Sequence, residues 1–387
     1  MYNIPLAIPS LNGNEWQYVK ECLDMEWVSS AGKYVDLFEQ KIAKYTGAKY
    51  AVACINGTSA LHVSLHLAGV NPGDEVIIPT LTFIAPVNAI AYNGASPVFM
   101  DADKYYNIDA EKTIEFINNE TVFKDSFTFN KITNKKISAI VPVHVLGNAA
   151  WLDDLVSLCE KRNITVVEDA SESLGTFYNA GKYKDQHTGT IGKLGCLSFN
   201  GNKIITTGGG GMILTDDEKL ADKARYLTTQ AKDDPVLYIH NEIGYNFRLT
   251  NIQAALGVAQ LEQLPVFLKR KREIFNQYKT ALNNIEGLTL ASVPDYGDNN
   301  HWINVLQIDP RICVKDKDFL MHELDNRGIQ TRPIWHLNHL QKVYKDSQYY
   351  KIKNSRVLVN TSLCLPSSTN VERKSIQKVI KSIISLI

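Results

Sequence analysis

Hydrophobic positions between residues 48 and 230 follow two rhythms in alternation. Short β-branched runs at 50–54, 75–78, 137–143 and 164–167 predict strands. Longer amphipathic stretches at 60–68, 86–92, 109–117 and 149–162 separate them and predict helices. Asp109 and Asp216 stand where N-caps belong, just ahead of helical periodicity. Strands that alternate with helices pair in parallel and are covered on both faces, so the class is α/β.

The rhythm breaks twice. Residues 118–136 are polar and rich in Asn and Lys, an excursion between a helix and the next strand. Residues 291–300 are turn-forming and connect parts of a second unit. That unit begins near a helical run at 252–278 and continues through a strand at 302–308 to a C-terminal helix. The expected layout is a large α/β domain with a central, mostly parallel sheet over 1–260, then a smaller α+β domain over 261–387. The length of 387 residues suits this division, at roughly 100–200 residues per domain.

Composition narrows the function. A hydrophobic share of 44% and a charged share of 21% are ordinary for a globular protein. With 41 basic and 41 acidic side chains the net charge is zero, which argues against a dedicated nucleic-acid binder and leaves room for local phosphate sites. The apolar stretch 137–146 is broken by Ser138, Pro142 and His144, far short of the roughly 20 residues of a membrane span. Met1-Tyr2-Asn3-Ile4-Pro5 shows no secretory signal pattern, and six cysteines without a C-x-x-C pair read as reduced, buried thiols. A cytoplasmic protein is the expectation. His62 and His66 lie four apart on a predicted helix, but no third ligand accompanies them and no metal site is expected.

Ligands of open α/β sheets sit beyond the carboxyl ends of the strands, so the residues following each strand are the candidates. After the first comes Asn56-Gly57-Thr58-Ser59-Ala60. Thr58 and Ser59 set hydroxyls beside the free N–H groups of a helix start, either as an anion cradle or as a simple N-cap. After 164–167 comes Glu168-Asp169-Ala170-Ser171-Glu172. Asp169 either caps the next segment or holds a cation in a desolvated cleft, and Glu172 is within reach of the same cavity. After 195–197 comes Ser198-Phe199-Asn200-Gly201-Asn202-Lys203, then four glycines at 208–211. Lys203 is either a solvated charge or a functional amine, while the glycines suit backbone passing close to a ligand. No Gly-Lys-Ser/Thr and no G-x-G-x-x-G follows, which disfavours nucleotide triphosphates and dinucleotides. A phosphate cradle, a carboxylate for a pyridine nitrogen and a lysine for an aldehyde together suit pyridoxal 5'-phosphate (PLP).

At these residues the sequence resembles the DegT/DnrJ/EryC1/StrS sugar aminotransferases, of PLP fold type I. The resemblance runs through 56–61, 76–90, 142–148, 166–175, 197–203, 208–213, 244–257 and 328–339. It implies that Lys203 forms the Schiff base with PLP and shuttles the proton. It further implies that Asp169 holds the ring nitrogen, Glu172 contacts the ring hydroxyl, Thr58, Ser59 and Ser198 bind the phosphate, and Phe83 stacks on the ring. His144 and His336 fall in segments lining the sugar pocket, and Asn246, with Arg248, would reach the neighbouring subunit's site in a homodimer. The family commonly has Gly-Glu-Gly-Gly after the lysine, whereas Gly209 stands here in the acidic position. That departure is similar to a subgroup of bacterial acetamido-sugar and nonulosonic-acid pathways. The implied reaction moves an amino group from L-glutamate to the C4 ketone of a nucleotide-linked keto-sugar. A UDP-linked 4-keto-6-deoxy-N-acetylhexosamine is expected first and GDP-4-keto-6-deoxymannose next. A non-catalytic PLP-binding relative is the other class of reading.

Overall fold

Alternate residues of the first strand, β1 (Tyr50–Cys54), enter different cores: Val52 and Cys54 one, Ala51 and Ala53 the other. This is the period-two pattern of a sheet covered on both faces. The computed structural model describes residues 2–234 and 236–387; Met1, which opens the N-terminal segment read above, lies outside them. The next strands are β2 (Glu75–Pro79), β3 (Ser96–Met100), β4 (Thr121–Lys124), β5 (Phe127–Asn130) and β6 (Lys136–Ile140). After them come β7 (Thr165–Asp169), β8 (Phe177–Tyr178), β9 (Leu194–Ser198) and β10 (Gly211–Thr215). The last third of the chain adds β11 (Leu288–Leu290), β12 (Gly297–Asp298), β13 (Asn304–Ile308), β14 (Arg332–Pro333), β15 (Tyr349–Tyr350) and β16 (Ser362–Leu365).

The large sheet runs β1-β10-β9-β7-β6-β2-β3-β15. From β9 to β15 every pair is parallel, while β10 lies antiparallel to both its neighbours. The helices that cover it include α1 (Glu15–Asp24), α2 (Lys33–Thr46), α3 (Gly57–Leu67), α4 (Ile84–Tyr92), α5 (Ala110–Asn119), α6 (Asp153–Lys161) and α7 (Glu218–Thr228). Asp109 caps α5 through the Lys112 N–H at 3.0 Å, as expected. The cap of α7 is Asp217, not Asp216, whose carboxylate instead accepts the Lys49 N–H at 2.8 Å.

Residues 118–136 are not a plain polar excursion. They form the hairpin β4–β5, added to the sheet through β6. Its turn places Asp125 and Ser126 at φ 51° and 65°, the left-handed pair of a two-residue hairpin, here built without the glycine that would have signalled it.

Helix α8 (Asn251–Leu282) starts on a capping box of Thr250 and Gln253. Its first half, including Val258 and Leu264, packs in the core that holds Phe38 and Phe199; its second half, including Ile274 and Tyr278, packs in another. The second core joins the antiparallel sheet β11-β13-β16-β14 to helices α9 (Lys317–Asn326) and α11 (Arg373–Ile384), with α10 (Asn354–Thr361) preceding β16. The expected boundary at 260/261 therefore falls inside one continuous helix, and β15 returns to the edge of the large sheet beside β3. Among the described residues no helix is long and apolar enough to cross a membrane, and the six cysteines are buried and unpaired.

Candidate active site

The carboxyl ends of β1, β7 and β9, with the segment after β2, open on one cavity of about 340 Å³, within the range of small-molecule sites. Helix α3 points its first turn at it. The N-cap is Asn56, whose side chain accepts the Ser59 N–H at 2.7 Å, so Thr58 and Ser59 lie inside the first turn instead of capping it. The Gly57 and Thr58 N–H groups precede any intrahelical partner and carry the positive end of the helix dipole. Thr58 lines the cavity, facing Ser198 at the end of β9. A Cβ on Gly57 would sit 2.9 Å from the Ser198 Cβ and 3.3 Å from the Ser171 Oγ, so only glycine lets helix and strand approach this closely. Ser59 is buried and is not part of the cavity lining.

Two acids and an amine line the same cavity. Asp169 ends β7 and accepts the Ser171 N–H at 3.0 Å. Burial pushes its carboxyl up, against the opposing pull of Ser171 and Lys203. Glu172 accepts the N–H of Leu146 at 2.8 Å and lies 3.7 Å from the Lys203 Nζ. Leu146 holds a left-handed φ of 59°, and this bend delivers its N–H. Burial pushes the Glu172 carboxyl up to about 7. Lys203 follows β9 on a tight turn closed by its own N–H to the Asn200 carbonyl at 3.0 Å. Its Nζ lies 4.3 Å from the ring centroid of Trp302. Phe83, 53% exposed, forms part of the mouth ahead of α4.

Four further expected residues do not line this chain's own cavity. His144 is fully buried beside the cavity, with Nε2 2.8 Å from Glu168 and Nδ1 accepting the Ala150 N–H, so neither ring nitrogen is left for a substrate. Glu168 also accepts N–H groups from Gly189, Ile191 and Gly192. Burial opposes its ionisation, but His144 and these donors outweigh it and hold the carboxyl below its usual range. His336 is exposed and outside the lining, where its neighbour Trp335 takes the place. Arg248 pairs at 2.5 Å with Glu39 of its own chain. Asn246 is exposed and likewise outside the lining. Trp302, Trp335 and Asn202 line the cavity without having been singled out; the one signal for Trp302 was its place after the polar run Asn299-Asn300-His301. A larger hollow of about 710 Å³ at the opposite ends of β7 and β9 holds none of the expected residues.

An amine, a buried acid and a helix start with adjacent hydroxyls, all facing one cavity, fit the aldehyde, ring nitrogen and phosphate of pyridoxal phosphate. Fold and site thus define a fold-type I PLP enzyme. More narrowly, the chain belongs to the DegT/DnrJ/EryC1/StrS aminotransferase family, whose model matches residues 9–384. It is similar to the GDP-perosamine synthase of Escherichia coli O157:H7, at 38% identity over 99% of this chain and 98% of that protein. The GDP-perosamine synthase of Caulobacter vibrioides is 36% identical over 98% and 97% of the two chains. Among solved structures, the aminotransferase TlmJ from Streptoalloteichus hindustanus superposes with a TM-score of 0.87, at 27% identity, over 99% of this chain and 98% of that one. The protein is a PLP-dependent nucleotide-sugar aminotransferase.

Proposed function

We propose that the protein moves an amino group from L-glutamate to the C4 ketone of GDP-4-keto-6-deoxymannose. The observation that carries the reading is the meeting of Lys203, Asp169 and Glu172 with the α3 start in one cavity. The acceptor is supported by the two GDP-perosamine synthases matched along nearly their whole length. A UDP-linked 4-keto-6-deoxy-N-acetylhexosamine is the second reading, favoured by Gly209. That glycine lines the cavity with 3.7 Å of clearance for a Cβ, so the carboxylate usual at this position is missing from a place that has room for it.

Pyridoxal phosphate, when bound, supplies an aldehyde to carry the amino group and a ring that draws electrons from the reacting carbon. Asp169 holds positive charge on the ring nitrogen, a partner that offsets the desolvation of its own carboxylate. Lys203 takes the proton from the substrate carbon and returns it. Glu172 orients Lys203 and the ring hydroxyl, and Phe83 covers one ring face. Thr58, Ser198 and the first N–H groups of α3 hold the phosphate.

The unit is read as a cytoplasmic homodimer with shared sites. Its free, buried cysteines suit a reducing compartment. Asn246 is exposed, and the nearby Val236, Tyr238 and Ile243 are 78%, 73% and 88% exposed, an apolar run that a second subunit would cover. Assaying GDP-, UDP- and dTDP-linked 4-keto-sugars with glutamate tests the acceptor. Turnover is expected to favour the GDP sugar, and Lys203→Ala to lower it by at least about 100-fold. Preference for the UDP sugar would reverse the order of the two readings, and an active Lys203→Ala protein would remove Lys203 from the reaction.

A further inference from the structure

Helix α8 carries a lysine that the reaction above does not use. Lys271 is 4% exposed, and the partners of its ammonium are two main-chain carbonyls, those of Trp302 at 2.7 Å and of Ser367. Burial alone pushes its amine down to about 7, so the position costs the fold something that an apolar side chain would not. One turn further along α8, Phe275 stacks on His301 with ring centroids 4.2 Å apart. His301 holds a left-handed φ of 51°, a backbone state uncommon outside glycine. Side chains one helical turn apart therefore grip two consecutive residues, 301 and 302, where the chain enters β13.

Trp302 is held at its other polar groups as well. Its N–H donates to the Asn300 Oδ1 at 2.9 Å and its indole Nε1 to the Asn202 carbonyl at 2.7 Å. Asn202 is the residue before Lys203, and the indole ring lies against the Lys203 amine. A continuous set of contacts thus runs from α8 through the Trp302 carbonyl and indole to the amine facing the cavity.

We propose that Lys271 is a positioning residue: by holding the Trp302 carbonyl it sets the indole against Lys203 and fixes where that amine points. The inference rests on Lys203 being the transaminating lysine. The indole face, 4.3 Å from the Lys203 Nζ, holds the amine in one direction, and loss of that contact frees it to swing toward a reagent in the cavity.

The test reads Lys203 in cofactor-free protein. An amine acylating reagent is applied at fixed pH, and modification of Lys203 is followed by peptide mass relative to the exposed Lys124. Lys271→Met and Trp302→Leu are each expected to speed Lys203 labelling by about 2-fold or more. Lys271→Arg, which keeps donors at this position, is expected to stay near the native rate. The double variant Lys271→Met/Trp302→Leu should label no faster than the faster single variant, because both act through one contact. A native rate in Lys271→Met, or effects that multiply in the double variant, would overturn the proposal. If the Met variant unfolds, seen as faster labelling at every lysine, Lys271→Gln is read against the same two outcomes. Because neither cofactor nor substrate takes part, an inactive Lys271→Met enzyme with native labelling counts against positioning. An active Lys203→Ala enzyme counts only against the catalytic assignment.

Discussion

Three acids within five residues meet different surroundings. Asp169 and Glu172 line the cavity, whereas Glu168 turns into the fold and takes three N–H groups and His144. Strand periodicity explains the division between neighbours, since consecutive side chains leave opposite faces. The same rule shows why the cavity-lining residues were legible and the direction of the His144 ring was not. A strand-end argument says at which end of the sheet a residue lies. It does not say which way the ring turns, and a buried imidazole goes to the nearest buried acid. Arg248 meets Glu39, far away in sequence and close in space, a contact that no strand-end argument anticipates. Glu172 yields a pH prediction. Its folded value of about 7 lies above its ordinary 4.5, so the stability it contributes is complete below about pH 4.5 and is lost as pH rises through about 7. Glu172→Gln is neutral throughout and should flatten the fall in Tm of the cofactor-free protein across that window. A Tm-against-pH slope identical to the native one would contradict the environment assigned to Glu172.

Element boundaries mattered most at α3 and α8. In α3 the sequence already placed a glycine and two hydroxyls at a helix start, but only the structure shows that Asn56 is the cap and that Thr58 and not Ser59 faces the cavity. Gly57→Ala isolates this element. Alanine is the better helix former by about 1 kcal/mol, yet its Cβ would press on Ser198, pushing the helix start away from the strand end. Cofactor Kd is expected to rise about tenfold, equivalent to ~1.4 kcal/mol, with Tm little changed. Native affinity in that variant, measured by equilibrium dialysis, would show that close approach is not what builds the cradle. In α8 the helical period continues while the packing partner changes from the large core to the small one. Nothing in the hydrophobic pattern marks that exchange, which is why a boundary drawn from sequence fell inside the helix.

At the scale of the whole molecule, a chain with no net charge concentrates its electrostatics at a few strand ends. If Asn246 completes the neighbour's site, a Lys203→Ala subunit and an Asn246→Ala subunit together make one intact site per mixed dimer. Random mixing should restore about one quarter of native activity, half of the dimers having one good site of two. No recovery after mixing would mean that each chain completes its own site. The central claim, that Lys203 and its cavity run a two-stage amino transfer, is tested most directly by the visible absorbance of the loaded enzyme. L-glutamate alone should bleach the band in a single turnover, and subsequent GDP-4-keto-6-deoxymannose should restore it, with neither change in Lys203→Ala. A band that glutamate leaves untouched would contradict the claim.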